Sequence, residues 1–242
     1  MQADQHIERQ PEELTEGQDD GQGKEYAGRI AVIVGVTGLI GSHLLKRLLQ
    51  SNHYSKVVAI ARSSAADSVK EYIDGGQLIW QPFSEPMPDQ VDHFFCALGT
   101  TQKVAGKAGL AAVDRDLVVE TASAAIAKGA SLCSVVSATG ADARSIFFYN
   151  RIKGEMETAV SELGARCVQF WQPSVLLGER SEDRFAEKIA GCILRSPLPK
   201  NIQARDGAAV ASAMAVAAGQ DLTGMHRFKV REIDMFNSGE TL

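Results

Sequence analysis

The stretch Ala31-Val-Ile-Val-Gly35-Val-Thr-Gly38-Leu-Ile-Gly41 decides the fold of this 242-residue chain. Its first four residues are apolar and predict a buried strand, and the glycines after them predict a tight turn. The next segment, Leu39–Gln50, places four leucines on one face and predicts a helix. Strand, glycine-rich turn and helix in this order are typical of the first unit of a parallel α/β sheet.

The rest of the chain continues this alternation of short apolar runs and longer amphipathic segments, which favours βαβ units. The predicted strands are Ile30–Val34, Lys56–Ala61, Gln77–Phe83, His93–Ala97, Leu132–Ser137 and Arg166–Phe170. The further predicted helices are Arg115–Lys128, a stretch near Arg184–Leu194 and Gly207–Ala218. The sequence therefore predicts an α/β fold, a doubly wound parallel sheet of the Rossmann type in the order 3-2-1-4-5-6, with a small C-terminal cap.

The composition predicts how the chain is organised. With 45% hydrophobic and 23% charged residues the chain has ordinary globular values. Residues 1–28 carry eight acidic and two basic residues and few apolar ones, so we expect a disordered acidic tail. Residues 29–242 then form one domain, in which residues 174–242 are a small substrate-side subdomain.

Charge, hydropathy and cysteine spacing exclude several classes of function. The net charge is −5 and no basic stripe is present, which argues against a nucleic-acid partner. No apolar stretch approaches the roughly 18 residues that a membrane span needs, and the polar N-terminus lacks the apolar core of a secretory signal. The four cysteines lie far apart without metal-ligand spacing, so we expect reduced thiols, no metal and a cytoplasmic location.

The glycine-rich turn has the chemistry of a phosphate site. Glycines let the backbone approach a pyrophosphate, whose charge is stabilised by amide N–H groups and the positive end of the helix. The GxxGxxG spacing is one residue longer in its first interval than the dinucleotide fingerprint GxGxxG. The alternative is that the glycines serve only a tight turn. The predicted contact residues are Gly35, Thr37, Gly38, Leu39, Ile40 and Gly41.

The identity of residue 62 predicts which dinucleotide binds. Arg62 follows the second predicted strand, 21 residues beyond Gly41. An acid near this point bonds the ribose hydroxyls of NAD, whereas an arginine accommodates the 2′-phosphate of NADP. The sequence therefore predicts NADP as cofactor, with NADPH preferred over NADH. The alternative is a solvated charge at a strand end.

Ser137, Tyr149 and Lys153 form a candidate catalytic group. Tyr149 and Lys153 are spaced i and i+4, which places them on one face of a helix. Ser137 ends a predicted strand at the carboxyl edge, where open α/β sheets bind ligands. A neighbouring cation is expected to lower the pKa of the phenol. We expect Tyr149 to protonate a substrate carbonyl oxygen that Ser137 hydrogen-bonds, while Lys153 binds the nicotinamide ribose.

The glycine loop, Ser137, Tyr149 and Lys153, in this order, resemble the short-chain dehydrogenase/reductase superfamily. The stretches His93–Thr101 and Val136–Asp142 are more narrowly similar to an atypical branch, the NAD(P)-binding oxidoreductases related to the Tat-interacting protein. The similarity covers about residues 29 to 240. Like the arginine at position 62, it implies NADPH binding.

This resemblance implies further contacts with a bound dinucleotide. Leu98 and Gly99 would line its adenosine side, and Pro173 and Val175 would contact the nicotinamide, which Tyr149 and Lys153 also approach. One position departs from the superfamily pattern, because Asp114 stands where many members have an asparagine. Two interpretations of Asp114 stay open, a cap at a helix start and a contribution to the substrate pocket.

These features together predict an NADPH-dependent oxidoreductase that acts on a small carbonyl or alcohol substrate. One alternative is a regulatory protein that binds NADP(H) without turnover. A second is a nucleotide-sugar epimerase or dehydratase, whose glycine spacing is similar but whose substrate domain is usually larger. Superfamily members often pair, so a homodimer is a candidate assembly.

Overall fold

The structure is a computed structural model that describes residues 28–174, 176–177 and 205–240. Its strands are β1 (Ile30–Val34), β2 (Lys56–Ile60), β3 (Leu78–Gln81), β4 (His93–Cys96), β5 (Leu132–Val136), β6 (Cys167–Trp171), β7 (Leu176–Leu177), β8 (Arg205–Asp206) and β9 (Gly224–Phe228). Its α-helices are α1 (Leu39–Gln50), α2 (Lys70–Asp74), α3 (Gln102–Ala111), α4 (Val118–Ala127), α5 (Phe148–Ser161), α6 (Gly207–Ala218) and α7 (Val230–Ser238). A short 3-10 turn, Asp67–Val69, precedes α2, and a π-helical segment, Ala112–Leu117, joins α3 to α4.

The main sheet has seven parallel strands in the order β3-β2-β1-β4-β5-β6-β9. The predicted fold class and the order of the first six strands are confirmed. The seventh strand, β9, is absent from the sequence prediction because only Phe228 of its five residues is buried, so no apolar run marks it. Strands β7 and β8 pair separately as a small parallel sheet.

Helical layers cover both faces of the main sheet. One face packs against α1, α6 and α7, and the other packs against α4 and α5. Every residue of β4, β5 and β6 is buried, as is typical of parallel strands covered on both sides. This double burial explains why the central strands are continuous apolar runs in the sequence.

The C-terminal part contributes to the main sheet. Helix α6 has the bounds that the sequence predicts, and it packs against α1. The chain then returns through β9 to the edge of the sheet beside β6. Residues 1–27 of the predicted acidic tail (1–28) and the helix predicted near Arg184–Leu194 lie outside the described residues. Within the described ranges, no helix has the length and apolar character to cross a membrane.

The helical segment before β5 is longer than the sequence predicts. The prediction begins at Arg115, whereas the structure is helical from Gln102 onward. The side chain of Thr101 caps the first turn by accepting from the Val104 N–H group, and Gly106 bends the helix with a φ of 69°. Two glycines in this segment conceal its periodicity. Asp114 lies inside the helical segment, so its interpretation as a cap at a helix start is wrong.

Candidate cofactor cleft and active site

The glycine-rich turn after β1 brings three backbone segments into direct contact. Gly35 has a φ of +82°, and a Cβ atom there would lie 2.5 Å from the carbonyl carbon of Ala97. A Cβ atom on Gly41 would clash with the carbonyl oxygen of Gly35. The end of β1, the start of α1 and the end of β4 therefore meet at distances that only glycine permits.

The N-terminus of α1 faces this turn with the electrostatics of an anion site. Gly38 is the N-cap residue, and no side chain caps the first turn. The first turn contains no acidic residue that would repel an anion. Its free amide N–H groups and the helix dipole therefore favour a negatively charged ligand at this point.

A cleft of about 350 Å³ opens at the carboxyl edge of the sheet, above β1, β2 and β4. Its volume is in the usual range of ligand sites. The segment that contains Val113 and Leu117 borders it on one side. The predicted binding residues that line the cleft are Gly35, Thr37, Gly38, Arg62, Leu98 and Gly99.

The other predicted binding residues do not line this cleft. Leu39 packs against Gly207 at the start of α6, and Ile40 is buried beneath the turn. Gly41 supports the turn from below. Pro173 is buried after β6, where its carbonyl accepts from the Thr139 N–H group at 3.1 Å. Val175 lies outside the described residues.

Arg62 is exposed at the end of β2 and lines the cleft. No carboxylate of the described residues forms an ion pair with it. Its guanidinium is therefore available to an anionic ligand in the cleft.

Helix α5 carries the candidate catalytic residues on one face. Tyr149 and Lys153 are one turn apart, and Glu157 follows one turn later. Tyr149 is 39% exposed, whereas Lys153 and Glu157 are each 2% exposed. The face therefore runs from a solvent-accessible phenol to two buried charged groups.

The buried ammonium of Lys153 is paired with Asp114. Its Nζ atom lies 2.9 Å from Asp114 Oδ1 and 3.4 Å from the carbonyl oxygen of Val136. The second oxygen of Asp114 accepts from the Thr100 N–H group at 2.8 Å. Because Thr100 lines the cleft, one hydrogen bond and one ion pair connect the cleft to Lys153. Asp114 lies in the π-helical segment, a feature frequent at functional sites.

The pKa of Tyr149 moves in the direction opposite to the sequence prediction. The sequence predicts that Lys153 lowers it, whereas in the structure it is raised. Desolvation is the largest cause; Lys153 opposes it, and the negative charge of Asp114 raises the pKa further. Lys153 does lower the pKa as predicted, but the prediction omits desolvation, which is the largest cause, and the carboxylate of Asp114.

Ser137 is joined to a buried network that the sequence does not predict. Its hydroxyl donates to Glu157 Oε1 at 2.5 Å, and the Gln172 amide donates to the same oxygen at 2.8 Å. The other oxygen, Oε2, accepts from Arg227 Nε at 2.7 Å. The i+4 spacing of Glu157 after Lys153 was the one local signal, whereas Gln172 and Arg227 come from distant parts of the chain.

We expect the change Glu157→Leu to destabilise the fold by about 3 kcal/mol, because two buried donors and one guanidinium lose their acceptor together. The matched control is Glu155→Leu on the same helix, where the half-buried carboxylate pairs with Arg115. That loss should cost about 1 kcal/mol or less. Urea unfolding measures both variants, and equal costs would contradict the importance of the buried network.

The fold and the cleft define a class, the dehydrogenase-type NAD(P)-binding Rossmann proteins. Two solved structures have the same fold. MoeE5 in complex with UDP-glucose and NAD superposes with a TM-score of 0.59 over 87% of this chain and 81% of that chain, at 15% identity. A short-chain dehydrogenase/reductase from Serratia marcescens BCRC 10948 superposes with a TM-score of 0.60 over 84% of this chain and 97% of that chain, at 17% identity.

Sequence comparison places the chain within this class. The chain belongs to the family of HTATIP2 and FMP52. Protein HTATIP2 of Rattus norvegicus is 37% identical over 65% of this chain and 67% of its own length. The protein named "FMP52, mitochondrial" of Kluyveromyces lactis is 33% identical over 69% of this chain and 79% of its own length. A family model described as semialdehyde dehydrogenase, NAD binding domain, matches residues 30–145.

Proposed function

We propose that this protein is an NADPH-dependent oxidoreductase that acts on a small carbonyl or alcohol substrate. The observation that carries the proposal is the connection between two sites. The glycine-lined cleft leads through Thr100 and Asp114 to Lys153 and thus to Tyr149. A dinucleotide site and a proton donor then lie at the same edge of the sheet, where open α/β sheets bind ligands.

The residues present fit the adenosine and pyrophosphate half of NADP(H). The glycine turn leaves backbone space that a Cβ atom would fill, and the uncapped N-terminus of α1 suits the pyrophosphate. Arg62 suits the 2′-phosphate, and Leu98 and Gly99 also line the cleft. We assign the nicotinamide end to Tyr149, Lys153, Pro173 and Val175.

Tyr149 is the group that we assign to proton transfer. When bound, the nicotinamide supplies or accepts the hydride. Because burial raises the pKa of Tyr149 above its ordinary value, the phenol is protonated at neutral pH and carries the proton that a carbonyl oxygen would accept. The proton of Ser137 is directed at Glu157, so in this arrangement the serine oxygen accepts from a substrate hydroxyl.

Calorimetric titration with NADPH and with NADH tests the cofactor assignment. We expect NADPH to bind more tightly, and Arg62→Ala to weaken NADPH binding about tenfold or more, because a charge-assisted contact with phosphate is lost. NADH binding should be nearly unchanged. Arg47→Ala, which removes an exposed arginine of α1, is the matched control. Equal weakening of both cofactors, or none, would contradict the role of Arg62.

A second candidate function is a regulatory protein that binds NADP(H) without turnover. One specific observation favours it, namely that Ser137 and Lys153 are both bonded to buried carboxylates. NADPH binding combined with no loss of NADPH absorbance across a panel of small aldehydes and ketones would support this candidate. Consumption of NADPH with any of these substrates would exclude it.

The proposal also includes a cytoplasmic location and a homodimeric assembly. Composition and cysteine usage favour the cytoplasm, whereas the fungal FMP52 relatives are named mitochondrial. Fractionation of cells that produce the tagged chain distinguishes the two compartments. The proposed homodimer is tested by sedimentation equilibrium.

A further inference from the structure

The pair formed by Asp114 and Lys153 is almost completely shielded from water. The side chain of Lys153 is 3% exposed and that of Asp114 is 1% exposed. Burial alone lowers the pKa of the lysine, but the phenolate form of Tyr149 and the carboxylate of Asp114 outweigh this effect and raise it; while Tyr149 is protonated, Asp114 is the charged partner. Lys153 is therefore a stable cation whose charge is balanced by a carboxylate from another helix.

The position of Asp114 is held from two sides. The Thr100 N–H group binds one carboxylate oxygen, and the π-helical segment brings the residue onto the lysine. A shift of this carboxylate would leave the partly buried Thr100 amide without its acceptor, which is unfavourable. The carboxylate is thus a fixed part of the surroundings of Lys153.

Few other titratable groups face Tyr149 and Lys153. From β4, the Cys96 thiol interacts with Lys153, but burial raises its pKa to about 12, so it is neutral. On α5, the carboxylate of Glu157 is engaged by Ser137, Gln172 and Arg227. Among the residues that the structure describes, Asp114 is therefore the carboxylate that acts directly on the pair of Tyr149 and Lys153.

We propose that Asp114 is a positioning residue that balances the charge of Lys153 and thereby offsets the action of that cation on Tyr149, one turn away on α5. The inference rests on the proposed function only where it concerns turnover. A protonated phenol donates its proton to a carbonyl oxygen as hydride arrives, and it becomes the phenolate. In the opposite direction the phenolate must first form to accept the alcohol proton. Asp114 therefore favours reduction of a carbonyl over oxidation of an alcohol near neutral pH.

The change Asp114→Asn tests this role without removing the acceptor for Thr100. With the negative charge gone, the cation of Lys153 acts on Tyr149 without compensation, and the phenol should ionise at lower pH than in the wild type. Each unit of downward shift in the pKa increases the phenolate fraction at neutral pH about tenfold. NMR of ring-labelled tyrosine measures the ionisation in the protein without cofactor, and Tyr149→Phe assigns the signal.

Two controls distinguish the loss of the Asp114 charge from a structural disturbance caused by the substitution. Asp116→Asn removes an exposed carboxylate of the same segment, which pairs with Arg115, and should leave the Tyr149 titration unchanged. The double change Asp114→Asn with Lys153→Met removes both charges, and the downward shift should disappear. Should Asp114→Asn fail to fold, Asp114→Ser is a smaller neutral replacement that still offers an oxygen to Thr100.

The proposal would be overturned if Tyr149 of folded Asp114→Asn or Asp114→Ser protein ionised at the same pH as in the wild type, or at a higher pH. It would also be overturned if the downward shift in the Tyr149 pKa persisted in the double variant. Because the titration requires no turnover, its outcome is independent of whether a substrate is found. Where a substrate is available, the pH profile of alcohol oxidation by Asp114→Asn should begin at lower pH. Unchanged ionisation together with a normal NADPH titration would overturn this inference alone.

Discussion

The variant Tyr149→Phe should lose turnover by about 10²- to 10⁴-fold, the usual contribution of a general acid or base. Phenylalanine keeps the ring on α5 and removes only the hydroxyl that we assign to proton transfer. Binding of NADPH should change little, because the cleft that suits the adenosine half is lined by residues of other elements. The expected result is thus a loss in kcat without a matching loss in cofactor affinity.

Steady-state consumption of NADPH with a small carbonyl identified by screening measures this effect. The matched control is Tyr72→Phe on α2, which lies outside the cleft lining and the candidate catalytic group. A turnover near the wild-type value in Tyr149→Phe would remove the tyrosine from the mechanism. A parallel loss of NADPH binding would instead indicate a role in holding the cofactor.

The second large effect is expected for Gly35→Ala, which should weaken NADPH binding about 100-fold or more and destabilise the fold by about 3 kcal/mol. Two costs combine at this position. The φ of +82° is unfavourable for alanine, and the added methyl group would overlap the backbone at Ala97 and Leu98. Relief of this overlap requires the end of β1 to move away from β4, which opens the glycine-rich turn.

The variant Gly164→Ala separates the effect of the positive φ from the effect of the steric overlap. Gly164 has a φ of +84°, but a Cβ atom there would meet nothing within 4 Å. This control should therefore cost about 1 kcal/mol from backbone conformation alone and leave NADPH binding intact. Denaturant unfolding and calorimetry measure the two quantities. Equal behaviour of the two variants would show that the contact between β1 and β4 is unimportant for the cleft.

Local periodicity in the sequence accounts for much of the observed fold. The apolar run of β1, the leucines of α1 and the alternation that follows predict the parallel sheet and the order of its first six strands, and the structure agrees. Elements with weak local patterns are missed. Strand β9 buries one residue of five, and α3 contains two glycines, so neither has a clear apolar period.

In the candidate site, too, the residues with a clear local pattern are the ones that the sequence identifies. The sequence by itself identifies the glycine turn, Arg62 and the i, i+4 pair of Tyr149 and Lys153, because each is a local pattern with a chemical meaning. The structure then brings the turn and Arg62 to one cleft.

Only the tertiary structure decided which charges surround the candidate catalytic group. Asp114 reaches Lys153 from another helix, and Arg227 reaches Glu157 from β9, 70 residues away in the chain. The direction of the Tyr149 pKa depends on these pairs and on desolvation, and both are set by distances between elements. Residue types at fixed spacing determine which chemical groups one face of a helix presents. Packing between elements determines which of the charges on that face have no oppositely charged partner.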